Sequence, residues 1–251
     1  VLMPQLQLGG RYHHWQSFLW HVVNGNAAPH LWYNTMMLQF ILLMPLFWAI
    51  GHWCQQQPQH GWLVIGLTIV MTVLWLWFYD CQIFHGPHMQ GWYLVDRLFI
   101  SFFIFGVLGV LAWVFRTSFQ RLLSRWWPGL IGAFLLCLTW TNWEFFRYGF
   151  PIKLSNAPYY KPSMVLYALI VIGLLAVLCE VQVRQQRPVI KVVHQLAGMA
   201  YKAYLANVFW SELLWLSFGR ALTIKVPGLG IGVCYVLTWL LSFASAFGIH
   251  A

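Results

Sequence analysis

The stretch PHLWYNTMMLQFILLMPLFW, residues 29–48, decides the fold class of this chain. It opens with a polar and aromatic threshold, which runs straight into an apolar segment. The threshold consists of His30, Trp32, Tyr33 and Asn34. Aromatic rings with a polar edge prefer the headgroup level of a bilayer, and apolar side chains prefer the hydrocarbon beyond it. The stretch therefore predicts the point at which the chain enters a membrane.

The composition of the whole chain is also typical of a membrane protein. Of its 251 residues, 61% are hydrophobic and 8% are charged, whereas soluble domains carry roughly 25% charged residues. The net charge of +9 comes from basic residues between apolar runs. Anionic membrane lipids are therefore the expected partners, and no basic aromatic patch for nucleic acid is visible. The five scattered cysteines contain no CxxC pair, so neither a disulfide framework nor a metal site is predicted.

Seven runs of mainly apolar residues follow one another, each of about the 20 residues that a spanning helix needs. They cover residues 31–52, 61–79, 95–115, 127–146, 163–183, 192–218 and 227–247. Each run is apolar all round, and none alternates as a barrel strand would. We predict an all-α, polytopic transmembrane bundle of about seven helices over residues 31–251. An extracytoplasmic or interfacial segment, residues 1–30, precedes it.

Basic residues between the runs predict the orientation of this bundle. The loops after the third and fifth runs lie on one side and are rich in arginine and lysine. They contain Arg116, Arg121, Arg125, Arg184, Arg187 and Lys191. We take this side as cytoplasmic, although the opposite loops also carry basic residues. On this reading residues 30–34 face outward and the C-terminus is cytoplasmic.

Ionisable side chains inside a spanning helix are costly, so they face a cavity or a partner by default. Glu144 either pairs with Arg147 at i+3 and ends the fourth run, or lines a cavity. Lys202 in the sixth run either snorkels to the headgroups or faces a polar path. Asn207 is too short to snorkel, so it bonds another helix or lines a polar cavity.

The histidines lie mostly outside the runs, and none shows a metal-binding spacing such as HExxH. The segment His85-Gly-Pro-His88 predicts a turn between helices rather than a metal site. His30 stands at the mouth of the first run, where an imidazole can carry a proton near neutral pH. We keep His30 as the catalytic candidate, with a structural interfacial role as the alternative.

Three segments together resemble a known membrane-protein family. The first is His30-Leu-Trp-Tyr followed by Leu38-Gln-Phe-Ile-Leu-Leu-Met-Pro45. The second is Arg97-Leu-Phe-Ile-Ser-Phe-Phe-Ile-Phe-Gly-Val-Leu-Gly109, and the third is Tyr201-Lys-Ala-Tyr-Leu205. The residues, order and spacing of these segments are similar to those of the acyltransferase 3 family of integral membrane acyltransferases, over most of residues 30–247.

The resemblance implies an activity. Family members move an acetyl or succinyl group from a coenzyme A thioester to an extracytoplasmic glycan. Here this implies O-acylation of a cell-surface polysaccharide or lipid-linked glycan at a bacterial cell membrane, with acyl-CoA as donor substrate and no permanently bound cofactor. The family has about ten spanning helices, so we expect this chain to be the last seven of them in a longer protein.

The acyltransferase hypothesis gives roles to particular residues. The substrate-binding candidates are Trp32, Tyr33, Asn34, Glu144, Lys202 and Asn207, of which residues 32–34 would shape the outward mouth together with residue 30. Arg116, Arg121 and Arg125 would hold the coenzyme phosphates on the cytoplasmic side. One alternative is a transporter or exporter with Lys202, Asn207 and Glu212 along its path, although the sequence shows no matching pair of interrupted helices. Another alternative is an inactive, truncated acyltransferase.

Overall fold

A computed structural model of the chain describes residues 31–88, 92, 95, 97–147 and 161–248. Within these ranges the chain forms helices and no strand, which confirms the all-α prediction for them. The α-helices are α1 (Leu31–Leu42), α2 (Met44–Gln56), α3 (Pro58–Tyr79), α4 (Phe103–Val114), α5 (Arg116–Phe146), α6 (Pro162–Arg184), α7 (Val189–Leu214), α8 (Arg220–Lys225) and α9 (Pro227–Gly248). The predicted segment 1–30 lies outside the described residues.

Among the described residues, four helices are long and apolar enough to cross a membrane. They are Pro58–Ile83, Arg116–Phe146, Pro162–Arg184 and Pro227–Gly248. A fifth span results if α1 and α2, which bend by 54° at their junction, are one crossing. Pro45 at the start of α2 explains this bend, since proline cannot donate to the helical hydrogen-bond ladder. Seven spans are therefore not confirmed.

Two of the predicted runs fall short for different reasons. The run 95–115 starts with a 3-10 turn, Phe99–Phe102, and this leaves α4 with only 12 residues. The run 192–218 forms α7, which has 26 residues but is not among the helices apolar enough to span. Lys202, Asn207 and Glu212 lower its mean hydropathy. The helix in the first run is too short to span a membrane, and the helix in the second run is too polar.

The surface of the described helices is rich in large apolar side chains. Leu42, Trp62 and Leu136 are each at least 74% exposed. So many exposed large apolar side chains are unusual on a soluble monomer, because they would face water at a cost. Hydrocarbon solvates such side chains without that cost, so the exposed surface agrees with the membrane prediction.

The structure divides into two compact units, the first formed by Trp32–Val181. Its core joins α2, α3 and α4 through a cluster of buried side chains, namely Phe47, Cys54, Val64, Val107 and Leu111. Gly106 of α4 lies directly under two aromatic rings. A β-carbon on it would come within 2.7 Å of Phe47 Cζ and 2.8 Å of Phe40 Cε1. The close packing of α4 on α1 and α2 therefore needs glycine at this position.

The second unit, from Gln182 onward, is an antiparallel helical hairpin. The α7 backbone continues through a π-helical turn, Trp215–Gly219, into α8, and α9 then packs back along it. Trp210 Nε1 donates to Ser245 Oγ over 2.8 Å. A β-carbon on Gly230 would lie 2.6 Å from the backbone of Thr223, so the two backbones are in close contact. These contacts fix the alignment of α7 and α8 against α9.

We expect Gly106→Ala to destabilise the first unit by about 1–3 kcal/mol relative to Gly109→Ala, since overpacking a filled contact costs about that much. Gly109 lies in the same helix with open space around its β-carbon position. Both substitutions raise helix propensity equally, so their difference isolates the packing. Unfolding free energies from titration with a denaturing detergent measure it, and equal values for the two variants would contradict the packing described here.

Candidate functional site

The side chain of Gln39 joins two segments that the sequence singled out. Its Nε2 donates to the carbonyl oxygen of Arg97 over 2.8 Å, and its Oε1 accepts from the N–H of Phe99 over 3.0 Å. Backbone polar groups at membrane depth must be satisfied internally, because lipid offers them no partner. Gln39 supplies hydrogen bonds to the backbone where the 3-10 turn begins, and it thereby fixes α1 against this turn.

Aromatic and polar contacts continue around this junction. Phe40 and Phe47 stack with ring centroids 5.6 Å apart, over Gly106. On the other side, Trp75 Nε1 donates to Ser101 Oγ over 3.0 Å. The segments around residues 38–45 and 97–109 are thus parts of one packed structure within the first unit.

The predicted outward mouth lies at the start of α1. Tyr33 and Asn34 occupy its first turn, are half-buried, and each makes further polar or ring contacts. Trp32 has a helical backbone, and His30 lies outside the described residues. The three residues Trp32, Tyr33 and Asn34 lie in a helix as predicted, and their glycan-binding role stays a prediction.

Glu144 makes a different contact from the i+3 pair considered above. Its Oε2 accepts a hydrogen bond from Ser163 Oγ, and Ser163 is fully buried near the start of α6. The Arg147 guanidinium lies over the Trp143 ring, 5.7 Å from its centroid. Among the described contacts, Glu144 thus ties α5 to α6, as a polar group between membrane helices commonly does.

The three arginines proposed to hold coenzyme phosphates lie on a helix and not in the predicted loop. Arg116, Arg121 and Arg125 are all exposed on the first turns of α5, which continues through them. Arg116 lies over Trp113 at 5.6 Å, and Arg121 Nε donates to Thr117 O over 3.3 Å. Arg121 and Arg125 share a helix face at i, i+4 spacing.

A cleft of about 470 Å³ lies between α7 and α9 in the second unit. It is lined by Val193, Leu196, Ala197, Ala200, Ala203, Tyr204, Asn207, Trp239, Ser242 and Phe243. The half-buried Asn207 reaches this cleft, which is mainly apolar. Lys202 and Glu212 are not among its lining residues, so the described structure does not bring the three residues of the transporter path together.

A polar pair that the sequence analysis missed lies at the end of α3. Asp80 Oδ1 and His85 Nδ1 are 2.9 Å apart, and both side chains are more than half exposed. A π-helical turn, Asp80–Phe84, places them together at a spacing of five residues. Sequence reasoning looked for helical partners at i+3 and i+4, and the wider π turn escapes that rule.

The turn after this pair agrees with the prediction made for His85-Gly-Pro-His88. A β-carbon on Gly86 would lie 2.3 Å from Cys81 O and 2.4 Å from Gln82 O, so the turn excludes any side chain there. His88 stacks on Trp92 with centroids 4.0 Å apart. Over the part of the chain that the structure describes, no group of three or more His, Cys, Asp or Glu residues could hold a metal ion.

The candidate residues are divided between the two units. The first unit contains Trp32, Tyr33, Asn34, Glu144, Arg116, Arg121 and Arg125, and the second contains Lys202 and Asn207. Comparison with family models, curated proteins and solved structures gives no match to this chain. The resemblance to acyltransferase 3 proteins therefore rests on the three quoted segments.

We expect Gln39→Leu to destabilise the first unit by about 1–3 kcal/mol, because it leaves the Arg97 carbonyl and the Phe99 N–H without their side-chain partner. Gln55→Leu is the matched control, since Gln55 is exposed near the end of α2. Detergent-titration unfolding compares the two variants with the wild type. If both variants unfold alike, Gln39 does not fix the 3-10 turn.

Proposed function

We propose that the chain is the membrane-spanning part of an O-acyltransferase. It transfers an acetyl or succinyl group from acyl-CoA to a cell-surface polysaccharide or lipid-linked glycan. The observation that carries this proposal is the junction at Gln39. Two segments that resemble the acyltransferase 3 family meet there through both ends of one carboxamide, although Gln39 and Arg97 are 58 positions apart in the sequence.

The proposal includes seven spans with residues 30–34 outside and the C-terminus in the cytoplasm. It counts the bent pair α1–α2 as a fifth span and needs two further crossings, namely the α4 region and α7. The packing of α7 along α9 supports the second of these, because α9 is itself long and apolar enough to span. A polar helix can cross where a neighbouring helix or a cavity receives its polar side chains.

The donor and acceptor would approach from opposite sides. Arg121 and Arg125, exposed on one face of α5, would bind the coenzyme phosphates at the cytoplasmic surface. The start of α1, with Tyr33 and Asn34, would receive the sugar at the outer surface. A general base would remove the proton from the sugar hydroxyl as it attacks the thioester carbonyl.

A second candidate function is transport of a glycan or small anionic solute, and one observation favours it. The α1–α2 pair is broken by 54°, and α4 follows a 3-10 turn. Transporter sites are often formed by interrupted helices near the bilayer midplane. An acyl-transfer assay and an export assay on the same cells separate the two functions.

We expect membranes that contain the protein to transfer labelled acetyl groups from acetyl-CoA to the surface glycan fraction. The control is membranes from the same cells without the protein. If cells without the protein still acylate the glycan but no longer export it, the result would favour transport instead.

We expect the double variant Arg121→Gln/Arg125→Gln to raise the KM for acetyl-CoA at least about tenfold with kcat unchanged. Each charge-assisted hydrogen bond contributes roughly 1.5–3 kcal/mol, and loss of binding shared by ground and transition states changes KM alone. Lys225→Gln, on the predicted outward side, is the matched control. An unchanged KM in the double variant would exclude these arginines as the phosphate site.

We expect cysteine labelling to reveal the orientation in a background where the five natural cysteines are replaced by alanine. A membrane-impermeant maleimide should reach Asn34→Cys on intact cells and Arg121→Cys only after lysis. The reverse pattern would invert the topology, and labelling of both positions on intact cells would place them on one side.

A further inference from the structure

We propose that the first three turns of α5, residues Arg116–Trp127, bind the anionic headgroups of membrane lipids. The ligand chemistry is a phosphate, and its source is the phosphodiester of a lipid in the adjoining leaflet. The starting observation is the charge of the segment, which holds three arginines and no acidic residue. Lipid binding at this surface goes beyond the proposed function, since it requires no acyl transfer.

The segment has two chemically different faces. Side chains three or four residues apart lie on the same side of a helix. At these spacings, one face is polar and consists of Thr117, Arg121, Ser124 and Arg125. Another face is apolar and consists of Phe119, Leu122, Leu123 and Trp126. A cationic face beside an apolar face with tryptophan is typical of helices that bind at a membrane surface.

Both faces have side chains that a lipid can reach. Arg121 and Arg125 are exposed on the polar face, and on the apolar face Leu122 is 56% and Trp126 58% exposed. The helix α6 approaches another side of α5, where the side chain of residue 120 donates to a carboxylate of α6 over 2.9 Å. The bond from Arg121 Nε to the carbonyl oxygen of Thr117 uses one of the five N–H donors of this guanidinium. The arginine face thus has donors to offer to a phosphate.

The level of the bilayer on α5 follows from its charge pattern. Residues 126–143 contain no charged side chain, and such a stretch of helix is about 27 Å long, close to the hydrocarbon thickness of about 30 Å. The whole helix has 31 residues, so its first turns extend beyond the hydrocarbon. Trp126 and Trp127 then lie at the boundary, where amphipathic rings prefer to be. Arg121 and Arg125 lie next to them, at the level of the headgroups.

A lipid accounts for more of this surface than a soluble phosphate does. A soluble anion would use the arginines alone, whereas a lipid also contacts the exposed Leu122 and Trp126 beside them. The proposed function assigns Arg121 and Arg125 to the coenzyme phosphates. Because both ligands offer a phosphate, the coenzyme would reach these arginines by displacing a lipid headgroup.

The test measures lipid enrichment at the arginine face of the full chain in phosphatidylcholine vesicles. A fluorophore is attached to Ser124→Cys in the cysteine-free background, and the quencher is phosphatidylglycerol or phosphatidylcholine with a nitroxide in the upper acyl chain. We expect the anionic lipid to quench at least about fivefold more strongly, since one arginine near an anionic surface contributes roughly that factor. The preference should fall severalfold at about 1 M salt, where the Debye length is about 3 Å.

Two double variants separate a local site from the net charge of the protein. Arg121→Gln/Arg125→Gln should remove most of the preference for phosphatidylglycerol. Arg220→Gln/Lys225→Gln is the matched control, because it removes two exposed positive charges from α8, and it should keep the preference. An equal loss in both double variants would show that net charge alone attracts the lipid and would overturn the site.

Inorganic phosphate separates a lipid site from a site for soluble phosphate. At constant ionic strength, it should leave the quenching by phosphatidylglycerol unchanged. Displacement of the lipid by inorganic phosphate, or equal quenching by the two lipids before any arginine is replaced, would overturn the proposal. Lipid enrichment and acyl transfer are measured separately, so either proposal can fail while the other holds.

Discussion

The need to pair backbone polar groups where helices break governs the first unit. The chain breaks its helices there at several places, among them Pro45 and the 3-10 turn before α4, and each of these two breaks leaves backbone polar atoms outside the regular helical ladder. Gln39 resolves the second break by bonding to a carbonyl and an N–H of that segment. One residue further along α1, the ring of Phe40 packs with that of Phe47 over Gly106, so the same helix supplies both the polar and the aromatic contact to the segment around α4.

The fold class could be predicted from sequence because apolarity over about 20 residues is a strong and local signal. The number of spans could not, since it depends on features that such a window averages out. A 3-10 turn shortens the third run, and Lys202 and Glu212 make the sixth run more polar. Helix continuity was also missed at Arg116 and Arg121, because exposed arginines look alike on a helix and in a loop.

The candidate site was predictable only in part. The helical backbone at Tyr33 follows from the apolar run that begins there, and Asn207 lines a cleft as its short polar side chain suggested, although the cleft is mainly apolar and not the polar cavity predicted. The contact between Glu144 and Ser163 crosses two helices, and the pair of Asp80 and His85 depends on a π turn. Neither a long-range contact nor a change of helical period is encoded in residue spacing alone.

The π turn in the second unit has a further consequence for how this hairpin can evolve. A π turn contains one residue more per hydrogen-bonded ring than an α turn, so Trp215–Gly219 stores a single extra residue in an otherwise continuous helix. Five residues in a π turn cover about the same rotation as four residues in an α-helix, so deleting one residue there would make the helix regular while α7 kept nearly the same orientation relative to α8. Asn207 would stay on the side of α7 that lines the cleft, and Gly230 would keep its neighbour Thr223. This turn is therefore a place where relatives could gain or lose one residue without changing the lining of the cleft or the tip of the hairpin.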